Sequence, residues 1–165
     1  MRHFDGSVFA AALLEPATAN LWCASVAPKA PAPTGALSPV EKTGRLRVLI
    51  VEDEMIVAMS LESLVEDFGF EVCAMAATGA EAVTFAKALR PDLILMDVNL
   101  IGDMDGVEAA RQVRETMDAR IVFVTAYGSG EVVERIQSTI PHAVVVSKPV
   151  VGSALLRAIE RTDPD

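Results

Sequence analysis

The chain has 165 residues, 52% of them hydrophobic and 22% charged, and its net charge is −9 with a pI near 4.7. That length holds one domain, or one domain and a tail, and the composition excludes global disorder. A basic nucleic-acid footprint is absent, and no apolar run reaches the ~18 residues of a transmembrane helix, so neither nucleic acid nor membrane is an expected partner.

The chain divides near residue 45. Five of its nine prolines (Pro16, Pro28, Pro31, Pro33, Pro39) lie before that point. Four basic residues (Arg2, Lys29, Lys42, Arg45) stand there against three acidic ones (Asp5, Glu15, Glu41), so the segment is +1 and the other 120 residues are −10. Residues 7–14 are apolar, but Asp5 and Glu15-Pro16 break the pattern a signal peptide needs. Residues 1–45 therefore read as an Ala/Pro-rich extension, disordered or the product of a start assigned too early with Val40 as candidate initiator. Residues 46–165 read as the folded domain. Cys23 and Cys73 have neither disulfide-framework nor metal-ligand spacing and suit the reducing cytoplasm expected for this chain.

Residues 46–51 form an apolar run interrupted by Arg47, the first strand. Val57, Leu61, Leu64, Val65 and Phe68 then recur on one helical face, and Gly69 ends that helix. A second strand follows over 70–76, a second helix over 79–89, and a buried strand over 92–97 entered through Pro91. Asp105-Gly106 opens a third helix, with Asp105 as its cap. A strand over 121–124, a helix over 132–140, a strand over 143–146 and a helix over 151–161 complete the pattern. Strands alternating with helices predict an α/β fold, a doubly wound five-stranded parallel sheet with five helices in the flavodoxin-like order 2-1-3-4-5.

Ligands of such sheets bind outside the carboxyl ends of the strands. The first strand ends in Glu52-Asp53-Glu54, the third in Asp97, the fourth in Thr125 and the fifth in Ser147-Lys148-Pro149. In the order 2-1-3-4-5 the first and third strands are neighbours, so their carboxylates meet. Two carboxylates ~4 Å apart repel by about 4 kcal/mol at an effective dielectric near 20, which a cation would relieve. Hard oxygen ligands completed by water suit Mg2+, and His3 and His142 lie away from the crevice. Asp97 is then a nucleophile toward phosphorus, with Lys148 and the Thr125 hydroxyl holding phosphoryl oxygens. The simplest competing reading has Asp53 and Glu54 capping the first helix, Asp103 on the loop surface, and Glu62, Glu66 and Asp67 on a solvated helix face.

Residues 46 to about 162 resemble the receiver domain of a two-component response regulator. The resemblance lies in Val51-Glu52-Asp53-Glu54, Leu95-Met96-Asp97, Met104-Asp105-Gly106, Val124-Thr125-Ala126 and Ser147-Lys148-Pro149, in the family's order. It implies a single-domain response regulator whose Asp97 accepts a phosphoryl group from a histidine kinase or histidine phosphotransfer protein. It also implies Mg2+ held by Asp53, Asp97 and the Asn99 carbonyl, with Glu52 acting through water, and a cis Lys148-Pro149 bond. Such a domain is not an enzyme beyond slow self-dephosphorylation. It would signal to a partner protein through the fourth helix, fifth strand and fifth helix, or by onward phosphorelay.

Two positions depart from the family pattern: Val145 stands where receivers often carry a switch aromatic, and Ile101 where proline is usual. Tyr127 is a candidate substitute for the aromatic, and Gly128 and Gly130 permit movement nearby. The run Phe123-Val124-Thr125-Ala126-Tyr127 resembles Phe-Ala-Thr-Gly-Tyr of a receiver subgroup tied to general stress signalling, differing at two of five positions. Three alternatives remain at this level. A phosphorylation-independent receiver-like binding module is one. A haloacid-dehalogenase-type phosphotransferase would need an Asp where Asn99 stands, and a flavodoxin-like electron carrier would need a phosphate loop where Glu52-Asp53-Glu54 would repel phosphate.

Overall fold

The computed structural model describes residues 44–126 and 130–162. Five strands run through it: β1 (Arg47–Val51), β2 (Glu71–Ala76), β3 (Leu93–Asp97), β4 (Arg120–Thr125) and β5 (Val144–Ser147). Between and after them come α1 (Met55–Asp67), α2 (Gly79–Leu89), α3 (Gly106–Arg114), α4 (Gly130–Thr139) and α5 (Gly152–Glu160). All pairings are parallel, in the order β2-β1-β3-β4-β5, as the alternation of apolar runs predicts. The expected N-terminal extension, Cys23, His3, Tyr127, Gly128 and residues 163–165 lie outside the described residues.

Alternation along the strands builds two cores. Leu49, Val51, Ile94, Met96, Ile121 and Phe123 face one way, toward Ala82 and Ala86 of α2, Val107 and Ala110 of α3 and Ile136 of α4. Val48, Ile50, Leu93, Leu95, Val122 and Val124 face the other way, toward Leu61 and Val65 of α1 and Leu155 and Ile159 of α5. Helices thus cover both faces, which is why β1, β3 and β4 read as near-continuous apolar runs. Ile136 is fully buried in the first core, so it cannot serve as a contact residue of a partner face.

Local signals fix the helix ends. Gly69 sits at φ 81° after α1, and its N–H bonds Glu66 O while the Phe70 N–H bonds Val65 O. This paired closure needs a left-handed residue, which glycine adopts without a Cβ penalty. Thr78 caps α2 by accepting from the Glu81 N–H, and Asp105 caps α3 by accepting from the Glu108 N–H at 2.9 Å. The expected capping of α1 does not form: Glu54 occupies the cap position without a side-chain bond.

Candidate phosphoacceptor site

The parallel register brings the strand ends together. Val51 of β1 lies beside Met96 of β3, so Glu52 and Asp97 leave adjacent strands at the same level. Carboxylate oxygens of Glu52, Asp53 and Asp97 lie within 4.8 Å of one another. Glu52 and Asp97 are buried, whereas Asp53 is half-buried. On the other side Val124 pairs with Asp97 and Thr125 with Ser147, which sets Lys148 one residue past the edge.

Lys148 spans the cluster. Its ammonium donates to Asp97 Oδ2 at 2.7 Å and to Glu52 Oε1 at 2.9 Å. Glu52 Oε2 is also 2.7 Å from the ammonium. Burial pushes the Glu52 carboxyl above its ordinary pKa, the Asp97 charge adds to this, and Lys148 offsets part of it. Burial alone would lower Lys148, but its bonds to Asp97 and Glu52 outweigh that and raise it. The backbone N–H groups of Asn99 and Glu54 approach Asp97 Oδ1 (3.3 Å) and Glu52 Oε1 (3.4 Å).

Such a donor set fits Mg2+. It offers hard oxygens at the ends of two adjacent strands, with Asp53 only half-buried. Asn99, the remaining expected ligand through its carbonyl, lies exposed in the loop after β3. Thr125 is fully buried at the end of β4, and its carbonyl accepts the Lys148 N–H at 2.8 Å. The Lys148-Pro149 bond is cis, as the resemblance implied.

Other residues land where the pattern put them. Asp103 is exposed on the loop, Glu66 and Asp67 are exposed on α1, and Glu62 is half-buried. His142 lies at the opposite sheet edge, before β5. Val145 is half-buried on β5, and Ile101 forms an isolated bridge with Thr78. Two features escaped the sequence reading. A Cβ on Gly106 would stand 1.7 Å from the Asp97 carbonyl oxygen, so this glycine is what lets α3 abut the backbone of Asp97. Met55, Ile56 and Met59 are 47%, 84% and 56% exposed beside the acidic edge. They lie off the buried stripe of α1.

Acidic residues at the ends of β1 and β3, with a lysine after β5 bonded to both, are a family signature. Residues 48–160 match the family model of the response regulator receiver domain. The chain belongs to that family. This receiver is 36% identical over 127 residues to the transcriptional regulatory protein PdtaR of Mycobacterium tuberculosis, covering 77% of this chain and 61% of PdtaR. It is 35% identical over 118 residues to the chemotaxis protein CheY of Bacillus subtilis, covering 70% of this chain and 96% of CheY. The phyllosphere-induced regulator PhyR of Methylorubrum extorquens is 42% identical over 81 residues, 48% of this chain and 30% of PhyR. The receiver thus spans less than two thirds of PdtaR and of PhyR. Among solved structures, the signal receiver domain of a modulated diguanylate cyclase from Desulfovibrio desulfuricans superposes with a TM-score of 0.66 at 36% identity, covering 72% of this chain and 93% of that one. Among the described residues no helix is long and apolar enough to cross a membrane.

Proposed function

We propose that the receiver carries a phosphoryl group on Asp97, taken from a histidine kinase or a histidine phosphotransfer protein in the cytoplasm. An Asp97 carboxylate oxygen attacks phosphorus, the P–N bond of the phosphohistidine breaks, and the imidazole leaves with the bond's electron pair and takes up a proton. Mg2+, held by Asp53, Asp97 and the Asn99 carbonyl with Glu52 behind a water, supplies charge neutralisation when bound. Lys148 exchanges its present carboxylate partners for a phosphoryl oxygen, and the Thr125 hydroxyl takes another. The observation that carries the reading is the Lys148 ammonium bonded at once to Glu52 and Asp97. It pre-positions a cation beside a nucleophile otherwise surrounded by negative charge.

Phosphorylation adds about −1.5 to −2 charge to that edge, and the response of Thr125 and Lys148 biases β4, α4 and β5 between two packings. Output then leaves through a partner docked on α4, β5 and α5, or by onward phosphorelay. The Ile136 side chain takes no part, being buried. Similarity to PhyR, and to a Bartonella quintana PhyR described as an anti-anti-sigma factor (28% identity, TM-score 0.61), supports a protein partner as the output.

The test is intact mass after incubation with acetyl phosphate, with and without Mg2+, on wild type and Asp97→Asn. A Mg2+-dependent gain of one phosphoryl group, lost in the variant, is expected. No adduct on wild type would leave the phosphorylation-independent binding module as the better reading.

A further inference from the structure

A pocket of about 690 Å³ opens at the edge of the sheet opposite Asp97, where β3, β4 and β5 begin. Arg90, Arg114, Arg120 and Arg161 line it against two carboxylates, Asp92 and Asp118. Four guanidinium groups thus stand there against two carboxylates, Arg120 with a polar partner of its own, in a chain whose net charge is −9. Asp92 already accepts the backbone N–H of Arg47 at 2.9 Å, and the Asp118 side chain is 98% exposed and 3.9 Å from Arg114. Arg90 and Arg161 have no ion-pair partner among the described residues.

A second observation points to the same place. Two non-glycine residues among those described have positive φ, Arg90 at 46° and His142 at 64°, and both line this pocket. Side chains adopt this backbone region at a cost, and residues held there cluster at ligand clamps. Asparagine or glycine would adopt the left-handed backbone at the end of α2 more cheaply than Arg90, whose charge suits the negative end of that helix. Apolar residues, Met117 and Ile140 among them, make up part of the lining.

We propose that this pocket binds a phosphate-bearing anion with a flat ring, of the nucleotide class. Arginine forks match phosphate oxygens two at a time, the apolar part of the lining accepts a ring, and the volume falls within the ~300–1,000 Å³ of small-molecule sites. At ~3.3 Å per strand residue, the five residues from Asp92 to Asp97 separate the pocket from the phosphoacceptor by about 16 Å. Occupancy therefore does not depend on Asp97 chemistry.

Calorimetric titration of the full chain tests this, in EDTA so that no metal recruits nucleotide to the acidic edge. ATP and GTP are the probes, with pyrophosphate and adenosine as the separated halves. At least one nucleotide is expected to bind with a dissociation constant of about 0.1 mM or tighter, and more tightly than either half. Arg90→Asn with Arg161→Gln should weaken it about tenfold or more, as loss of charged hydrogen bonds does. Asn tolerates the left-handed backbone at 90, and Arg114→Gln on the exposed end of α3 is the second variant. Acetyl phosphate labelling of Asp97 should be unchanged in both. No binding by either nucleotide overturns the proposal, as does binding unaffected by either variant. Pyrophosphate binding as tightly as a nucleotide removes the ring from it.

Discussion

At Lys148 one ammonium stands 2.7 Å from carboxylate oxygens of both Glu52 and Asp97, on a side chain 14% exposed. Removing one partner of a buried pair leaves uncompensated charge, so Lys148→Ala should lose about 3 kcal/mol in urea unfolding with EDTA present. Glu52 behaves oppositely. Its folded pKa lies above 4.5 because of burial, so the folded state keeps a proton that the unfolded chain has released. Its contribution to stability therefore falls as pH rises through the window above 4.5. Glu52→Gln should stabilise the metal-free protein at neutral pH, with a gain that shrinks toward pH 4.5 in melting curves. A variant less stable than wild type at neutral pH would contradict this. Both carboxylates were legible as strand-end residues, and Lys148 was legible as a cation at the same edge. Its present partners were not, because Lys148 and Glu52 lie 96 positions apart and no local pattern reports such a contact.

Among the elements, α3 and α1 hold the site from opposite sides. Gly106 opens α3 against the Asp97 carbonyl, and a methyl group there would stand 1.7 Å from that oxygen. Gly106→Ala should cost about 3 kcal/mol, at the upper end of overpacking, and reduce acetyl phosphate labelling as Asp97 shifts. Unchanged labelling would mean that the strand end adapts freely. The Asp105 cap also pairs with Arg135 at 2.6 Å, tying the loop after β3 to α4, the element expected to respond to phosphorylation. On α1, Ile56 is 84% exposed one turn from the acidic edge, where an approaching phosphodonor protein would touch it. Ile56→Asp should slow transfer from a phosphorylated histidine protein about tenfold, a loss of roughly 1.4 kcal/mol, while acetyl phosphate labelling stays constant. Periodicity found the buried stripe of α1 because Leu61 and Val65 repeat at helical spacing. On α4, expected to form part of a partner face, the core claims Ile136 and Val132 packs against it.

For the whole molecule, the family match begins at residue 48, and the first described strand begins at Arg47. We therefore propose that residues 1–45 are an extension to the receiver. A chain beginning at Gly44 should keep its melting temperature within about 2 °C, corresponding to less than ~0.5 kcal/mol, and label with acetyl phosphate as the full chain does. A large loss of stability would place that segment in the fold. By itself the sequence determined the alternation of strands and helices, the cap at Asp105, the stop at Gly69 and the residues that end each strand. It could do so because parallel strands buried on both faces read as apolar runs, and because caps and stops are local backbone chemistry. Tertiary structure alone decided that Lys148 bonds Glu52 and Asp97, that Gly106 must be small, and that four arginines spread from position 90 to 161 share one pocket. Each of these depends on which strand ends lie side by side and how closely two backbones approach, and neither is written in the spacing of residues along the chain.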